Sequence, residues 1–540
     1  MTEQSTQVVQ DYVETVFRRG REPMEPVDFQ PNFADQPSRH KTYLGGVARF
    51  PLPEGAGVRL RPTADVLFAP PPEEDGQPWT MESLATLLRL SYGQLDRRLR
   101  VSWNQDTDAR VLYPESLWGR GTASGGGMYP LEIYWVAGPG APMTPGVYHY
   151  STAHHGFERL LVGDLTEDVR AACDDQLGTG VGPADGFLLV STRFWKNSFK
   201  YNSFCYHVVT QDCGAILGSF EVIARGLGRR LGRVLWFDDE RLNDLLGLDT
   251  MAESVLAVVP LPFAPRQDEP RAPEAGRGGL IDRPSFERSQ VTIEFEQVTQ
   301  VHRAVLADRR PRPDRAAATG LRPVRPTGLA ELALPDPRAG DLGTDLDQAL
   351  RTRHTSFGSF TGSHPMTLQE LSTVLAGASS ARNYPSDVAP TGTGFTGLYV
   401  LANRVTGLAT GSYRYDPDSH CLQVVQERPV SDFLQRNYYL SNYNLDQVGA
   451  VLAISARWVS TVEAYGNRGY RVLNAEVGAV AQTAYVAASA AGVGCGAVLG
   501  FDNLSIDEAV GLDRSDERTF LFVLLGHERA DSAHFDYRLI

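Results

Sequence analysis

Two tandem copies of one mixed helix-and-strand domain, paired within a single chain as a pseudo-dimer, are what this 540-residue sequence predicts. Three observations predict it. The chain repeats itself at a nearly constant offset, a Pro-, Arg- and Glu-rich stretch divides the copies, and each copy carries a long helical pattern suited to packing against its twin.

The repeat is colinear. Arg193-Phe194-Trp195, Lys200-Tyr201, Tyr206, Gly214, Phe237-Asp238, Gly247-Leu248-Asp249 and Glu253 recur 264 residues later. They return as Arg457-Trp458-Val459, Ala464-Tyr465, Tyr470, Gly478, Phe501-Asp502, Gly511-Leu512-Asp513 and Glu517. Gly146-Val147-Tyr148-His149-Tyr150 likewise matches Gly411-Ser412-Tyr413-Arg414-Tyr415, and the run at 81–88 resembles that at 368–375. Chance does not produce an ordered series of this kind. Length alone predicts two to four domains; the repeat reduces this to a first domain over 1–262, a linker over 263–284 and a second domain over 285–540.

Within each copy the patterns alternate. The runs at 186–191 and 448–454 read as buried strands. Long helical patterns follow over 206–225 and 470–490, and the second is crowded with Ala and Gly, which suits close helix–helix packing. The second copy is expected to open with a helix over 291–307, followed by extended loop over 308–340.

Composition bounds the function. Hydrophobic content of 42% and charge of 21% are those of an ordinary globular chain. A net charge of -14 leaves no basic surplus for phosphate neutralisation and argues against nucleic acid as a partner. The polar start at Met1 does not read as a signal peptide, and no apolar run reaches membrane-spanning length. Cys173, Cys205, Cys213, Cys421 and Cys495 are scattered, with neither disulfide nor metal-ligand spacing, so a reducing cytoplasm and no metal are expected.

The chain is sparing with lysine. It holds three, Lys41, Lys196 and Lys200, and two lie in the stretch 194–201 beside Tyr201. Arginine stays charged, whereas a buried ammonium loses its proton readily, so a lysine kept in an arginine-rich chain is a candidate proton carrier. Both residues could instead lie on one surface strand.

The stretch from Arg120 through Ser124-Gly125-Gly126-Gly127 to Tyr129-Pro130-Leu131-Glu132-Ile133-Tyr134 resembles the R-x-x-x-S-G-G-x-x-Y-P-L-E-x-Y motif of SagB/McbC-type azoline dehydrogenases. These belong to the FMN-dependent nitroreductase superfamily. The G-x-Y-x-Y hairpin, the Lys200-Tyr201 pair and Phe237-Asp238-Asp239 follow in that family's order, and the likeness covers most of both halves. The resemblance implies an α+β fold of interlocked copies with FMN at their interface. It also implies oxidation of thiazoline or (methyl)oxazoline rings in a ribosomally made precursor peptide, with a cyclodehydratase as partner. Lys200 and Tyr201 match the catalytic pair, Lys200 as the base and Tyr201 as a proton relay or substrate guide. Lys200 could alternatively hold the flavin electrostatically while Tyr201 packs the core. Adjacent strand residues face opposite ways, so joint contact needs a loop or helix start.

Ser124, Gly125, Gly126 and Gly127 let backbone approach a flat ring or a phosphate and offer N–H donors. The copies differ where the chemistry lies: Ala464 stands opposite Lys200, and Thr391-Gly392-Thr393-Gly394 opposite the glycine run. The second copy instead keeps Arg351, Arg353 and Ser356, which resemble the phosphate-binding start of nitroreductases with Gly358 in place of its last arginine, or alternatively form a solvated helix start. Complementary losses of this kind predict one composite FMN site per chain, built from 124–127 of the first copy and Arg351, Arg353 and Ser356 of the second. Asp238-Asp239-Glu240 reads as an exposed turn, His154-His155 as surface, and Cys205 and Cys213 as small buried hydrophobes. Two further classes stay open: an NAD(P)H-dependent nitro or enone reductase, and a flavin-less scaffold subunit. The peptide, the ring type and any further association of the pseudo-dimer stay open as well.

Overall fold

The structure, a computed structural model, describes residues 3–55, 58–70, 77–100, 117–173, 184–263, 281–530 and 534–539. Most of the expected linker, 264–280, lies outside the described residues.

Each half is built on an antiparallel sheet, and the two sheets share five strands in one order. In the first half Glu253–Leu261, Gly186–Arg193, Leu131–Ala137, Gly146–Ser151 and Gly156–Val162 lie side by side, with Ala48–Pro51 at the edge. The second half repeats this with Glu517–Gly526, Ala450–Arg457, Thr396–Ala402, Gly411–Asp416 and Cys421–Glu427, edged by Glu331–Ala333. Even the irregularities repeat: the ladder slips between Val190 and Ser191 in one sheet and between Ile454 and Ser455 in the other. The apolar runs at 186–191 and 450–454 are wholly buried, since each sheet is covered on both faces.

Behind the sheets, helices Cys205–Gly226 and Arg468–Ala490 cross at the centre of the molecule, buried along almost their whole length. Two glycines set the crossing. A Cβ on Gly214 would collide with the Ala475 carbonyl, and one on Gly478 with the Gln211 carbonyl. Only a residue without a side chain lets the backbones meet there. Both glycines come from the same place in the repeat, so the crossing is reciprocal.

The copies also exchange arms. Helix Glu3–Arg18 lies on the second half, where Phe17 packs 6.3 Å from Trp458 and 5.2 Å from Phe520. Helix Glu296–Leu306 lies on the first half, with His302 4.8 Å from Phe194, the repeat partner of Trp458. This helix starts later than its sequence pattern predicts, because Val291 and Ile293 are exposed rather than core. The stretch expected as loop carries a 3₁₀ segment, Arg315–Leu321, and the edge strand. The α+β pseudo-dimer of tandem domains is therefore the fold of this chain. Among the described residues no helix is long and apolar enough to cross a membrane.

Candidate active site

A cavity of about 1550 Å³ opens between the halves. The glycine loop forms one wall. Gly126 and Gly127 hold φ of +59° and +68°, which a side chain would strain. Beneath the loop, Asp212 on the central helix accepts from the Ser124 hydroxyl at 2.6 Å and from the Gly125 N–H at 2.8 Å. Burial raises the Asp212 carboxyl to about 7, against those two hydrogen bonds. The Ser124 side chain and the Gly125 N–H thus anchor the loop.

Lys200 and Tyr201 close the last turn of helix Phe194–Tyr201. On a helix, consecutive side chains diverge less than on a strand, and both reach the loop. A Cβ on Gly126 would lie 2.6 Å from Tyr201 Oη and 2.7 Å from Lys200 Nζ. The Lys200 ammonium donates weakly to the Gly126 carbonyl at 3.4 Å. Lys200 is exposed at the cavity wall, and desolvation by the protein around it lowers its pKa. Burial, with Asp212 nearby, raises that of Tyr201, which keeps its proton.

The second half supplies the opposite wall. Arg353 is buried and donates through Nε to the Gly121 carbonyl and through Nη2 to the Arg120 carbonyl, both at 2.9 Å. Gln482 holds the same backbone, accepting from Ala123 N–H and donating to Gly121 O, each at 2.9 Å. Arg351 pairs with Asp347 at 2.6 Å and Ser356 is fully buried; neither lines the cavity. Of the sequence-predicted residues, then, Ser124, Gly125, Gly126, Gly127, Lys200, Tyr201 and Arg353 share this cavity. Asp212, Gln482 and the aromatic segment 438–443 are components that motif reading missed. Asp212 had a legible signal, since Glu476 stands at the same repeat position.

The lining is cationic in an acidic chain. Arg19, Arg98, Arg120, Arg353, Lys196 and Lys200 face it, against the carboxylates of Asp212 and Glu528. Arg120 is buried between the rings of Tyr92 and Tyr129, at 4.5 and 4.3 Å, and its Nε has no hydrogen-bond partner. Such a field suits an anionic ligand.

At the repeat-related position the molecule is closed. Only about 10 Å³ remains among Arg233, Arg382, Tyr384, Phe395 and Glu476. Glu476 takes the place of Asp212 and accepts from Phe395 N–H at 2.6 Å and Thr396 N–H at 3.0 Å. The segment around Tyr384 to Val388 fills the space: Arg233 pairs with Ser386, and Asp387 accepts from Leu235 and Trp236 N–H.

A model of the nitroreductase family matches residues 350–527. A putative nitroreductase of Methanocaldococcus jannaschii is 32% identical over 149 residues, 27% of this chain and 75% of that protein. The chain belongs to the nitroreductase family. This nitroreductase-family protein is also 27% identical to the trifolitoxin-processing protein TfxB of Rhizobium leguminosarum bv. trifolii over 137 residues, 25% of this chain and 37% of that relative. The crystal structure of a putative nitroreductase from Anabaena variabilis superimposes with a TM-score of 0.70 at 20% identity, covering 97% of this chain and 99% of that one. The last match extends the fold over both halves. Among the described residues no group of three or more His, Cys, Asp or Glu side chains could hold a metal ion.

Proposed function

We propose that this nitroreductase-family chain binds FMN in the composite cavity and oxidises thiazoline or (methyl)oxazoline rings to thiazoles or oxazoles in a ribosomally made peptide. The observation that carries the reading is the meeting of loop 124–127, the Lys200–Tyr201 pair and Arg353 at a single cavity. Its volume exceeds the roughly 300–1,000 Å³ usual for one small ligand, which leaves room for a substrate ring beside a cofactor. The site also suits FMN chemically. Glycines 125–127 leave flat space against the loop, and the buried Arg120, with its unpaired Nε, supports a phosphate among the cations.

Bound FMN would supply the electron sink that aromatising an azoline requires. The chain's own residues govern the proton. Lys200, with a lowered pKa and a place on the wall, is fitted to take the acidic ring proton as neutral amine. Tyr201 stays protonated and donates a hydrogen bond that orients the ring. Asp212 and Gln482 hold the loop against which both act. The likeness to a trifolitoxin-processing protein supports a peptide substrate. A cyclodehydratase that first forms the azoline is the partner this chemistry requires, and five buried cysteines suit the cytoplasm.

The test is incubation of the flavin-loaded protein with a cyclised peptide, read by mass spectrometry. Loss of one H₂ per ring, absent in Lys200→Ala with flavin retained, supports the proposal. Turnover of a nitroaromatic with NAD(P)H but no change in the peptide would replace it with a reductase, the reading that the likeness to putative nitroreductases favours.

A further inference from the structure

Lys196 sits one helical turn before Lys200 and lines the same cavity, yet it is buried where Lys200 is exposed. Its ammonium donates to the Arg39 carbonyl at 2.7 Å and lies 3.8 Å from Glu132 Oε1, an oxygen with no hydrogen-bond partner. A line of titratable groups runs on from there beneath the sheet. Glu132 Oε2 meets His149 Nε2 at 3.0 Å, His149 Nδ1 meets Glu158 Oε2 at 3.2 Å, and Glu158 Oε1 accepts from Arg49 at 3.0 Å. Glu132, His149 and Glu158 are each at most 4% exposed, whereas the Arg49 side chain is 52% exposed.

Burying so many ionisable groups is costly unless they are paired, and a core strand could carry apolar residues instead. The second half carries a different set there: Arg414 donates to Gln423 at 3.0 Å and Gln423 to Glu331 at 3.0 Å. Sheet register makes the equivalences unambiguous. Glu132 faces Ser191, as Gly397 faces Ser455; His149 faces Tyr134, as Arg414 faces Tyr399; Glu158 faces His149, as Gln423 faces Arg414. Lys196 corresponds to Ser460, since both stand three residues beyond the matched Arg193 and Arg457. All four members are therefore lost together in the copy that has also lost Lys200 and closed its cavity. By contrast, the buried Ser191–Glu253 hydrogen bond at 2.7 Å survives there as Ser455–Glu517 at 2.5 Å, as a purely structural contact would.

We infer that Lys196 is a second proton-exchanging lysine of the cavity, with Glu132, His149 and Glu158 as positioning residues that set its protonation. This rests on the proposed proton abstraction by Lys200. Once Lys200 has become an ammonium, an N–H bond at Lys200 breaks and one forms at neutral Lys196 through cavity water; no electrons move. Glu132 stabilises the new charge, and Lys196 later returns the proton to water, ready for the next turnover. Burial lowers Lys196 to about 8, against the pull of Glu132, which is consistent with this role. Burial alone would raise Glu132, but Lys196, His149 and Arg193 hold it low; His149 is raised by its two carboxylates despite burial. The other charges facing Lys196 are Arg120, Arg193 and Glu287, with His40 and Arg39 on the neighbouring segment and Lys200 on its own helix.

Because the chain has three lysines, selective ¹³Cε-lysine labelling yields three assignable NMR signals, with Lys196→Arg and Lys200→Arg identifying two. One signal, absent in Lys196→Arg, should titrate about two pH units below an ordinary lysine. Glu132→Gln, checked for folding by circular dichroism, should move its midpoint lower still. A Lys196 signal with an ordinary lysine midpoint, or one that Glu132→Gln leaves in place, overturns the inference; neither readout needs turnover. Should peptide oxidation fail while the titration holds, the substrate reading falls and the tuned lysine stands. With an active substrate, Lys196→Arg should lower kcat on the order of tenfold or more with KM little changed, and remove the ionisation near pH 8 through which activity rises with pH. An unchanged kcat and profile would refute proton exchange.

Discussion

The open cavity and its closed twin are built on the same five strands and the same glycine crossing, yet one holds about 1550 Å³ and the other about 10 Å³. The difference lies in side chains and one segment, not in architecture. Each site has a carboxylate on its central helix receiving backbone N–H donors from the loop before the first shared strand, Asp212 in one and Glu476 in the other. In the open site that loop is glycine with Lys200 and Tyr201 against it. In the closed site Ala464 replaces the lysine, and Tyr465 turns its hydroxyl to the Val388 carbonyl at 2.7 Å, helping to seal the space. Duplication lets one interface keep an open cavity while the other becomes core.

Several substitutions break or sharpen that contrast. The largest effect is expected for Lys200→Ala, which should cut ring oxidation on the order of 10²–10⁴-fold while flavin per chain stays near one. A flavin content near two would instead show that the closed site binds. Next comes Gly126→Ala against Gly392→Ala. The first drives a methyl onto Tyr201 and Lys200, whereas the second meets only Asn383 at 3.7 Å. Flavin affinity, measured by fluorescence titration, should fall at least about tenfold in the first and hold in the second, whose cost is the roughly 1–2 kcal/mol of a left-handed residue. Comparable loss of affinity in both would dissolve the asymmetry.

Smaller and pH-dependent is Asp212→Asn. The folded carboxyl is raised to about 7, above the ~3.9 of an unfolded Asp. Its contribution is therefore complete below about pH 4 and lost as pH rises through about 7. Wild-type Tm should fall between about pH 4 and 7, and the asparagine variant should flatten that slope, recovering roughly 1–2 kcal/mol at the alkaline end. Parallel slopes for both proteins would place the titration elsewhere. Least affected should be Arg351→Ala. Its guanidinium is paired with Asp347 and off the cavity lining, so flavin affinity is expected to change less than about threefold, whereas Arg353→Ala frees the loop at Arg120 and Gly121.

Much of this was legible in the chain. The repeat revealed the tandem fold because a duplicated core conserves its packing demands: glycines at a crossing, strands buried on both faces, and a Glu paired with Ser191 or Ser455. The lysine–tyrosine pair stood out because lysine is rare in this sequence and a poor core former, and the glycine run because consecutive glycines leave backbone with no side chain to pack. Three matters were decided only by tertiary structure. Whether Lys200 shares a cavity with the loop depends on the turn of a short helix. Which of three residues at 351–356 reaches the cavity depends on the direction in which a helix ends, and Arg353 does so with its guanidinium on two carbonyls of the other copy. The burial of Lys196 against Glu132 joins a helix to the sheet, and the line from there to Arg49 joins strands by sheet register. Local pattern records what each segment is, while pairing across strands and between copies sets what it faces.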